Sequence, residues 1–244
     1  LVKLSNQTCE ITIVTLFINP AQFSENEDYN TYPIDLDNDK KLLSKYRVDV
    51  LFVPEASIMY NKNFSTYINE LIISKNYEGE SRPLFFQGVL TVVAKLFNLT
   101  KPTHAFFGEK DAQQLAIVNK MVNDLNYNIS IVPCPIIRDQ NGLAMSSRNQ
   151  YLNKNDKKNA GKIYLSLCSA IENIKTGEYS SIIVKKNIES SLKIENFKID
   201  YISIINKNNF NEIGQIDGDI MILIAVYVAG VRLIDNISYS VSSK

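Results

Sequence analysis

The sequence predicts a doubly wound α/β fold with a mainly parallel sheet, followed by a smaller C-terminal α+β domain. In the first half, short apolar runs alternate with amphipathic helical segments, and the runs stop at proline or glycine. Apolar runs without polar alternation are typical of strands that a parallel sheet buries on both faces. In such a fold, ligands bind beyond the carboxyl ends of the strands.

Four apolar runs are the predicted strands, and they span Ile11 to Ile18, Val48 to Val53, His104 to Phe107 and Ile129 to Val132. Helical spacing of apolar residues predicts helices between them, over Asp35 to Tyr46, Val89 to Leu99 and Asp111 to Leu125. In the last of these helices, Leu115 and Val118 are expected to face the core. The order of strands and helices is that of a doubly wound fold.

The pattern changes after Pro135, where the polar, irregular segment Arg138 to Asn149 begins. Beyond it we predict two helices and three strands, over Lys154 to Ile174, Ser181 to Leu192, Lys198 to Ile205, Asp219 to Val228 and Val231 to Ile234. We therefore place a first domain at residues 1–137 and a second at residues 138–244.

The composition argues against several classes of protein. Lys plus Arg and Asp plus Glu both number 26, so a nucleic-acid groove or a membrane-surface patch has no support. The single histidine, His104, cannot build a multi-histidine metal site, and we expect it to pack in or beside its strand. The sequence contains neither of the glycine-rich phosphate-binding motifs G-x-x-x-x-G-K-[ST] and G-x-G-x-x-G. Its three cysteines include no C-x-x-C pair. We expect a cytoplasmic protein with reduced thiols.

The segment Phe106 to Val118 joins the end of a predicted strand to the start of a helix. Lys110 therefore stands beside a helix N-terminus, where free N–H groups and the helix dipole favour an anion. Gly108 allows a ligand close to the backbone. Of the two glutamines in the first turn, Gln113 and Gln114, one can face the ligand. The alternative is a capped helix with a solvated lysine.

Two other segments carry polar groups at the expected ligand side. Ser146 and Ser147 precede Arg148, and two hydroxyls with a guanidinium suit phosphate oxygens, although serines at this place also cap ordinary helices. Gln22 follows the strand that ends at Asn19, and its amide suits a substrate with hydroxyl and carboxylate groups, although a simple turn is the alternative.

Together these segments resemble the pantothenate synthetases. The matching stretches occur in order and with similar spacing from Leu1 to nearly the end of the chain. They are N-P-x-Q-F at Asn19, Tyr32-Pro33, E-G-x-x-R-P at Glu78, K-L-F-N-L at Lys95, F-G-E-K-D-x-Q-Q-L at Phe107, N-G-L-A at Asn141, S-S-R-N-x-Y-L at Ser146 and R-L-I-D-N at Arg232.

The resemblance implies a Rossmann-like fold of the H-x-G-H nucleotidyltransferase superfamily and an AMP-forming ligase that joins pantoate to β-alanine through pantoyl adenylate. It assigns pantoate to Gln22 and Gln114, and catalysis to Lys110 and Arg148. It assigns ATP to Asn19, Gly108, Glu109, Lys110, Asp111, Ile137, Met145, Ser146, Ser147 and Arg148. It also implies Mg²⁺ bound with ATP and no protein metal site, a homodimer, and a C-terminal domain that acts as a lid.

The sequence departs from the family pattern in two places. Leu1 matches a position just after the family's P-T-M-G-x-L-H-x-G-H motif, so we expect a histidine-bearing segment to be missing, and the chain as given to be inactive and poorly soluble. Phe85 stands in the R-P segment where the family usually has histidine, and a phenyl ring cannot make the hydrogen bonds of an imidazole.

Two other functions stay open at this point. The chain could be a non-catalytic relic or a nucleotide-binding partner of an intact copy, for which Phe85 is the motivation. It could also be a related nucleotidyltransferase, although such an enzyme would not be expected to share Gln22 with Gln114.

Overall fold

A computed structural model describes residues 1–24, 29, 32, 35–193 and 197–241. Pro33, part of one matched stretch, lies outside these residues. The chain divides into two compact units, Leu1–Pro135 and Ile136–Lys244, whereas the sequence-based boundary was placed between residues 137 and 138. The described helices and strands form the predicted α/β class, with parallel pairing in the first unit and an antiparallel sheet in the second.

The first unit contains six α-helices and four strands among its described residues. In chain order these are α1 Val2–Thr8, β1 Ile13–Thr15, α2 Leu36–Leu43, β2 Val50–Phe52, α3 Ala56–Met59, α4 Glu78–Ser81, α5 Phe85–Thr100, β3 His104–Gly108, α6 Ala112–Asp124 and β4 Ser130–Cys134. Short 3-10 turns lie at Pro20–Gln22, Ile73–Lys75 and Glu109–Asp111.

The strands of the first unit form two parallel pairs, β1 with β2 and β3 with β4. The prediction that they are buried on both faces is wrong for β1 and β2, since Ile13 and Val50 are exposed. These two strands are only three residues long, and the buried residues of the core come from helices α3, α5 and α6. The core instead lies where α5 and α6 pack together, around Leu90, Ile117 and Val118.

A local sequence signal accounts for the end of α5, and the burial of α6 differs slightly from the prediction. Helix α5 ends where Lys101 takes a left-handed conformation with φ 45°, and Pro102 follows it. Helix α6 buries Ile117 and Val118, whereas Leu115, which was predicted to face the core, is only half-buried. The buried stripe is therefore shifted toward Ile117, which a period of 3.6 also allows.

The second unit contains three helices and one three-stranded antiparallel sheet among its described residues. They are α7 Lys154–Ala160, α8 Lys162–Lys175, α9 Ser181–Lys193, β5 Lys198–Asn206, β6 Asp219–Val228 and β7 Val231–Ser240, with a 3-10 turn at Ser147–Tyr151. Strand β6 is central, and α8 and α9 bury Leu167 and Ile188 in the same core as Ile222.

Two predicted elements of the second unit need correction. The single helix over Lys154 to Ile174 is two helices, which meet at Gly161. A Cβ at Gly161 would lie 2.1 Å from the carbonyl oxygen of Asn141, so the break lies where a distant loop contacts the helix backbone. The last strand, predicted over Val231 to Ile234, extends to Ser240 because it pairs with β6 along its whole length.

Candidate functional site

The first part of the candidate site is the turn between β3 and α6. Gly108 ends β3, Glu109 to Asp111 form a 3-10 turn, and α6 begins at Ala112. Lys110 Nζ lies 3.3 Å from Asp111 Oδ1, and the Lys110 side chain is only 18% exposed. Apart from its chain neighbours, no described residue has an atom within 4 Å of a Cβ placed at Gly108, so the space beside this backbone is open. A partly buried cation beside an open backbone can bind an anionic group.

The structure distinguishes the two glutamines at the start of α6. Gln113 is buried: its Oε1 accepts from the backbone N–H of Glu78 at 3.0 Å, and its Nε2 donates to the carbonyl oxygens of Ile73 and Asn76, both at 2.8 Å. Gln113 therefore stabilises the loop before α4. Gln114, which the resemblance assigns to pantoate, is only half-buried.

Asn19 and Gln22, which the resemblance assigns to ATP and pantoate, lie together after β1. Asn19 is 2% exposed, and its Nδ2 donates to Gln22 Oε1 at 3.2 Å and to the carbonyl oxygen of Gly88 at 3.0 Å. Asn19 Oδ1 accepts from the N–H of Ala21 at 3.2 Å, so the same side chain caps the Pro20–Gln22 turn. The Gln22 amide is held in place by a buried neighbour.

A polar group that the sequence analysis missed lies beside Asn19. The hydroxyl of Tyr60 is buried, and among the described residues no nitrogen or oxygen meets it in hydrogen-bonding geometry. Its ring lies against Phe17 and Phe64, with ring centres 6.5 and 5.0 Å away. Burial raises the pKa of Tyr60 to about 12, against a smaller opposing influence of the Asn19 side chain. The apolar surroundings keep the phenol neutral.

In the second unit, Ile137 and Met145 form an exposed apolar pair. The N–H of Met145 donates to the carbonyl oxygen of Ile137 at 2.8 Å. Met145 is 57% exposed and Ile137 is 69% exposed. The neighbouring residues Leu143 and Ala144 are buried and anchor the segment. Two exposed apolar side chains on a fixed backbone can cover the flat face of a base.

The Ser146–Arg148 segment begins a 3-10 turn rather than an α-helix. Ser146 Oγ accepts from the backbone N–H of Arg148 at 3.3 Å, so the capping role considered for these serines is present. Ser147 and Arg148 are half-buried. Asn149, the next residue, donates from Nδ2 to the carbonyl oxygen of Ala144, while its buried Oδ1 has no partner among the described residues.

A buried ion pair, also missed from the sequence, supports this segment. Arg138 donates to both carboxylate oxygens of Asp235, at 2.6 and 2.8 Å, and to the carbonyl oxygen of Gly142 at 3.0 Å. Its guanidinium carbon lies 3.6 Å from the ring centre of Tyr164. A hydrogen bond with Cys168 raises the pKa of Tyr164, and the charge of Arg138 opposes that rise. An aspartate inside an apolar strand was the signal, because such a group needs a cation.

The structure assigns the predicted residues to two separate units. Asn19, Gln22, Gly108 to Asp111 and Gln114 belong to the first, and Ile137 and Met145 to Arg148 belong to the second. His104 begins β3, where its Nδ1 lies 3.0 Å from Thr103 Oγ1. No described helix is long and apolar enough to cross a membrane. Over the described ranges, no three His, Cys, Asp or Glu side chains cluster as metal ligands.

Comparisons with known proteins agree over almost the whole chain. Residues 1–238 match the family described as Pantoate-beta-alanine ligase. Pantothenate synthetase of Thermosipho africanus is 47% identical over 236 residues, which cover 97% of this chain and 85% of the relative. Pantothenate synthetase of Clostridium botulinum is 46% identical over 240 residues, 98% of this chain and 85% of the relative.

Solved structures agree with these sequence matches. Pantothenate synthetase from Thermus thermophilus superposes with a TM-score of 0.93 at 37% identity, over 97% of this chain and 86% of the relative. Pantoate-beta-alanine ligase from Francisella tularensis, in complex with beta-gamma ATP and β-alanine, gives a TM-score of 0.77 at 34% identity, over 97% and 82%. These matches show that the chain belongs to the pantoate–β-alanine ligase (pantothenate synthetase) family.

Proposed function

We propose that this protein joins pantoate to β-alanine in an ATP-dependent, AMP-forming reaction through pantoyl adenylate. The family supports the overall reaction, and the relative from Francisella tularensis supports ATP and β-alanine as ligands. The single observation that carries the proposal is the partly buried Lys110 beside the open backbone of Gly108, at the carboxyl end of β3. This is where ligands of a parallel α/β fold bind.

The phosphate groups are assigned to the charged turn and to the serine segment. Lys110 and Arg148 would neutralise the negative charge that grows on the phosphates during transfer, with Ser146 and Ser147 as hydrogen-bond donors. Glu109 and Asp111 flank Lys110 in the same turn. Mg²⁺ is expected to accompany ATP, and it would neutralise part of the phosphate charge. The base would lie against Ile137 and Met145.

Pantoate is assigned to Gln22 and Gln114, with Asn19 fixing the first amide. Amide N–H groups can donate to the carboxylate while amide oxygens accept from the hydroxyls. A carboxylate oxygen of pantoate then attacks the α-phosphorus of ATP and displaces pyrophosphate. The amine of β-alanine attacks the carbonyl carbon of the adenylate, displaces AMP and loses a proton. Orientation of the reacting groups is the main contribution of these side chains.

Further assignments are part of the same proposal. The first domain would bind ATP and pantoate, the second would act as a lid, and the protein would work as a cytoplasmic homodimer.

The direct test is formation of pantothenate and AMP from ATP, pantoate and β-alanine, measured by mass spectrometry with the product of the complete reading frame. Lys110→Ala should lower kcat/KM by about 100- to 1000-fold, because it removes a charged donor. Lys120→Ala is the matched control, since Lys120 is an exposed lysine of the neighbouring helix α6, paired with Asp124. ATP binding without pantothenate formation would instead favour a non-catalytic nucleotide-binding protein.

A further inference from the structure

The backbone of Gln22 is held against the first turn of α5. A Cβ at Gly88 would lie 2.2 Å from the carbonyl oxygen of Ala21 and 2.7 Å from the nitrogen of Gln22, so only glycine permits this approach. Asn19 Nδ2 also donates to the carbonyl oxygen of Gly88. The position of the proposed pantoate residue therefore depends on where α5 begins.

Arg82, just before α5, is the charged residue of this junction. Its Nη2 donates to the carbonyl oxygen of Gln22 at 3.1 Å, which joins two segments that are 60 residues apart. Its guanidinium carbon lies 3.8 Å from the ring centre of Phe85, the first residue of α5. A planar cation over an aromatic face is attracted by the ring quadrupole and loses rotational freedom.

Phe85 is itself fixed in place. Its ring centre lies 5.0 Å from that of Phe86, which is 2% exposed, and Phe85 packs against the core of the first unit. The ring thus gives the guanidinium a rigid surface, and the guanidinium in turn holds the Gln22 carbonyl. The chain of contacts runs from the core through Phe85 and Arg82 to Gln22.

We infer that Arg82 and Phe85 act as a pair of positioning residues for Gln22, so that the aromatic face of Phe85 is a working part of the pantoate site. This inference rests on the proposed function. In this role Phe85 needs a flat aromatic ring, and the ring needs no hydrogen-bonding atom. The pair acts through Gln22, so it should affect pantoate more strongly than ATP.

The test compares Phe85→Leu with Phe85→Tyr, because leucine keeps an apolar side chain without the aromatic face, whereas tyrosine keeps the face. With the product of the complete reading frame, Phe85→Leu should raise the KM for pantoate by about 10-fold, which lies within the range of cation–π effects. The KM for ATP should change less than about twofold. Phe85→Tyr should restore the parent value.

Arg82→Lys is a second variant, which keeps the charge but loses the planar stacking, and it should raise the KM for pantoate in the same way. Tyr227→Leu is a matched control. Tyr227 lies in strand β6 of the second unit, and its ring centre is 5.4 Å from Lys198 Nζ, so this variant removes a cation–π contact far along the chain from Gln22. It should leave both KM values unchanged.

Two results would overturn the inference: an unchanged KM for pantoate in folded Phe85→Leu and Arg82→Lys, or equal rises for pantoate and ATP. Failure of Phe85→Tyr to restore the parent value would also count against it. A parent protein that forms no pantothenate would refute the proposed function itself. The shift in Tm that pantoate alone produces then serves as the readout, and an equal shift in the parent and Phe85→Leu would still exclude the pair as positioning residues.

Discussion

Replacing Asp235 by asparagine tests the buried ion pair of the second unit. The Asp235 side chain is 4% exposed and that of Arg138 is 16% exposed, and two hydrogen bonds of 2.6 and 2.8 Å join them. Removing one charge of a buried pair costs about 3–5 kcal/mol, because the other charge stays desolvated. Arg138 keeps the carbonyl oxygen of Gly142 and the ring of Tyr164, so we expect the lower end, about 3 kcal/mol.

A loss of that size corresponds to a fall in Tm of about 6–12 °C for a chain of this length. Differential scanning calorimetry would measure it, with Asp124→Asn as the control. Asp124 pairs with Lys120 on the surface, where the side chains are 51% and 44% exposed, and such pairs contribute about 0.3–0.5 kcal/mol. The expected fall for the control is therefore about 1–2 °C.

The same variant should loosen the segment that carries the proposed ATP residues. Asp235 orients the Arg138 guanidinium, which donates to the carbonyl oxygen of Gly142, and the Arg138 backbone forms an antiparallel β-bridge with Ala144, next to Met145. Without the carboxylate charge, Arg138 is held less firmly. Hydrogen exchange of the amides at residues 139–145 should therefore become faster in Asp235→Asn than in Asp124→Asn. Equal falls in Tm for the two variants, with unchanged exchange at residues 139–145, would refute the account of the pair.

Three further predictions concern the first unit. Gly108→Ala should fold normally, because a Cβ there meets no described atom within 4 Å beyond its chain neighbours, yet it should raise the KM for ATP by about 10-fold or more. Gly214 is equally open, so Gly214→Ala is the control and should leave the KM for ATP unchanged. Equal KM values for the two variants would contradict this prediction. Tyr60→Phe should raise the free energy of unfolding by about 1 kcal/mol, because it removes an unsatisfied buried hydroxyl. It should also remove the contribution of Tyr60 to the loss of stability between pH 10 and about 12, where the unfolded phenol ionises and the folded one does not. Chemical denaturation of both proteins at each pH would measure this. Burial raises the pKa of Cys134, so iodoacetamide should alkylate it more slowly than the half-buried Cys9, and equal rates by peptide mass spectrometry would contradict this.

The sequence was most informative where a strand or helix ends at a distinctive residue. Gly108 marks the end of β3, and the apolar residues at helical spacing continue almost to the end of α5, so these two boundaries were predicted within a few residues. Asp219 to Val228 was predicted without error because its apolar run is long and bounded by turn residues. Such signals are local, and the chain carries them without reference to tertiary contacts.

Contacts between distant residues set the features that the sequence did not predict. Arg138 and Asp235 are 97 residues apart, and neither one alone identifies its partner. The break at Gly161 lies where Asn141 approaches the helix. Gln113 and Gln114 are the same residue type on adjacent positions, and the loop carbonyls that bind Gln113 alone distinguish them.

The candidate site also combines features that local sequence predicts with features that depend on contacts between distant residues. The Lys110 turn was predicted because a strand, a glycine and a helix start are adjacent in the sequence. Tyr60 was missed because it lies in an irregular segment, and only packing against Phe17 and Phe64 buries its hydroxyl. The role inferred for Phe85 likewise depends on the guanidinium of Arg82 above its ring.

The central claim, adenylation of pantoate, is tested most directly by exchange of labelled pyrophosphate into ATP without β-alanine. The product of the complete reading frame should catalyse exchange that depends on pantoate and is lost in Lys110→Ala, because formation of the adenylate is reversible and releases pyrophosphate. Addition of β-alanine should then release AMP and pantothenate in equal amounts. Exchange that ignores pantoate, or a reaction that releases ADP and phosphate, would contradict the account.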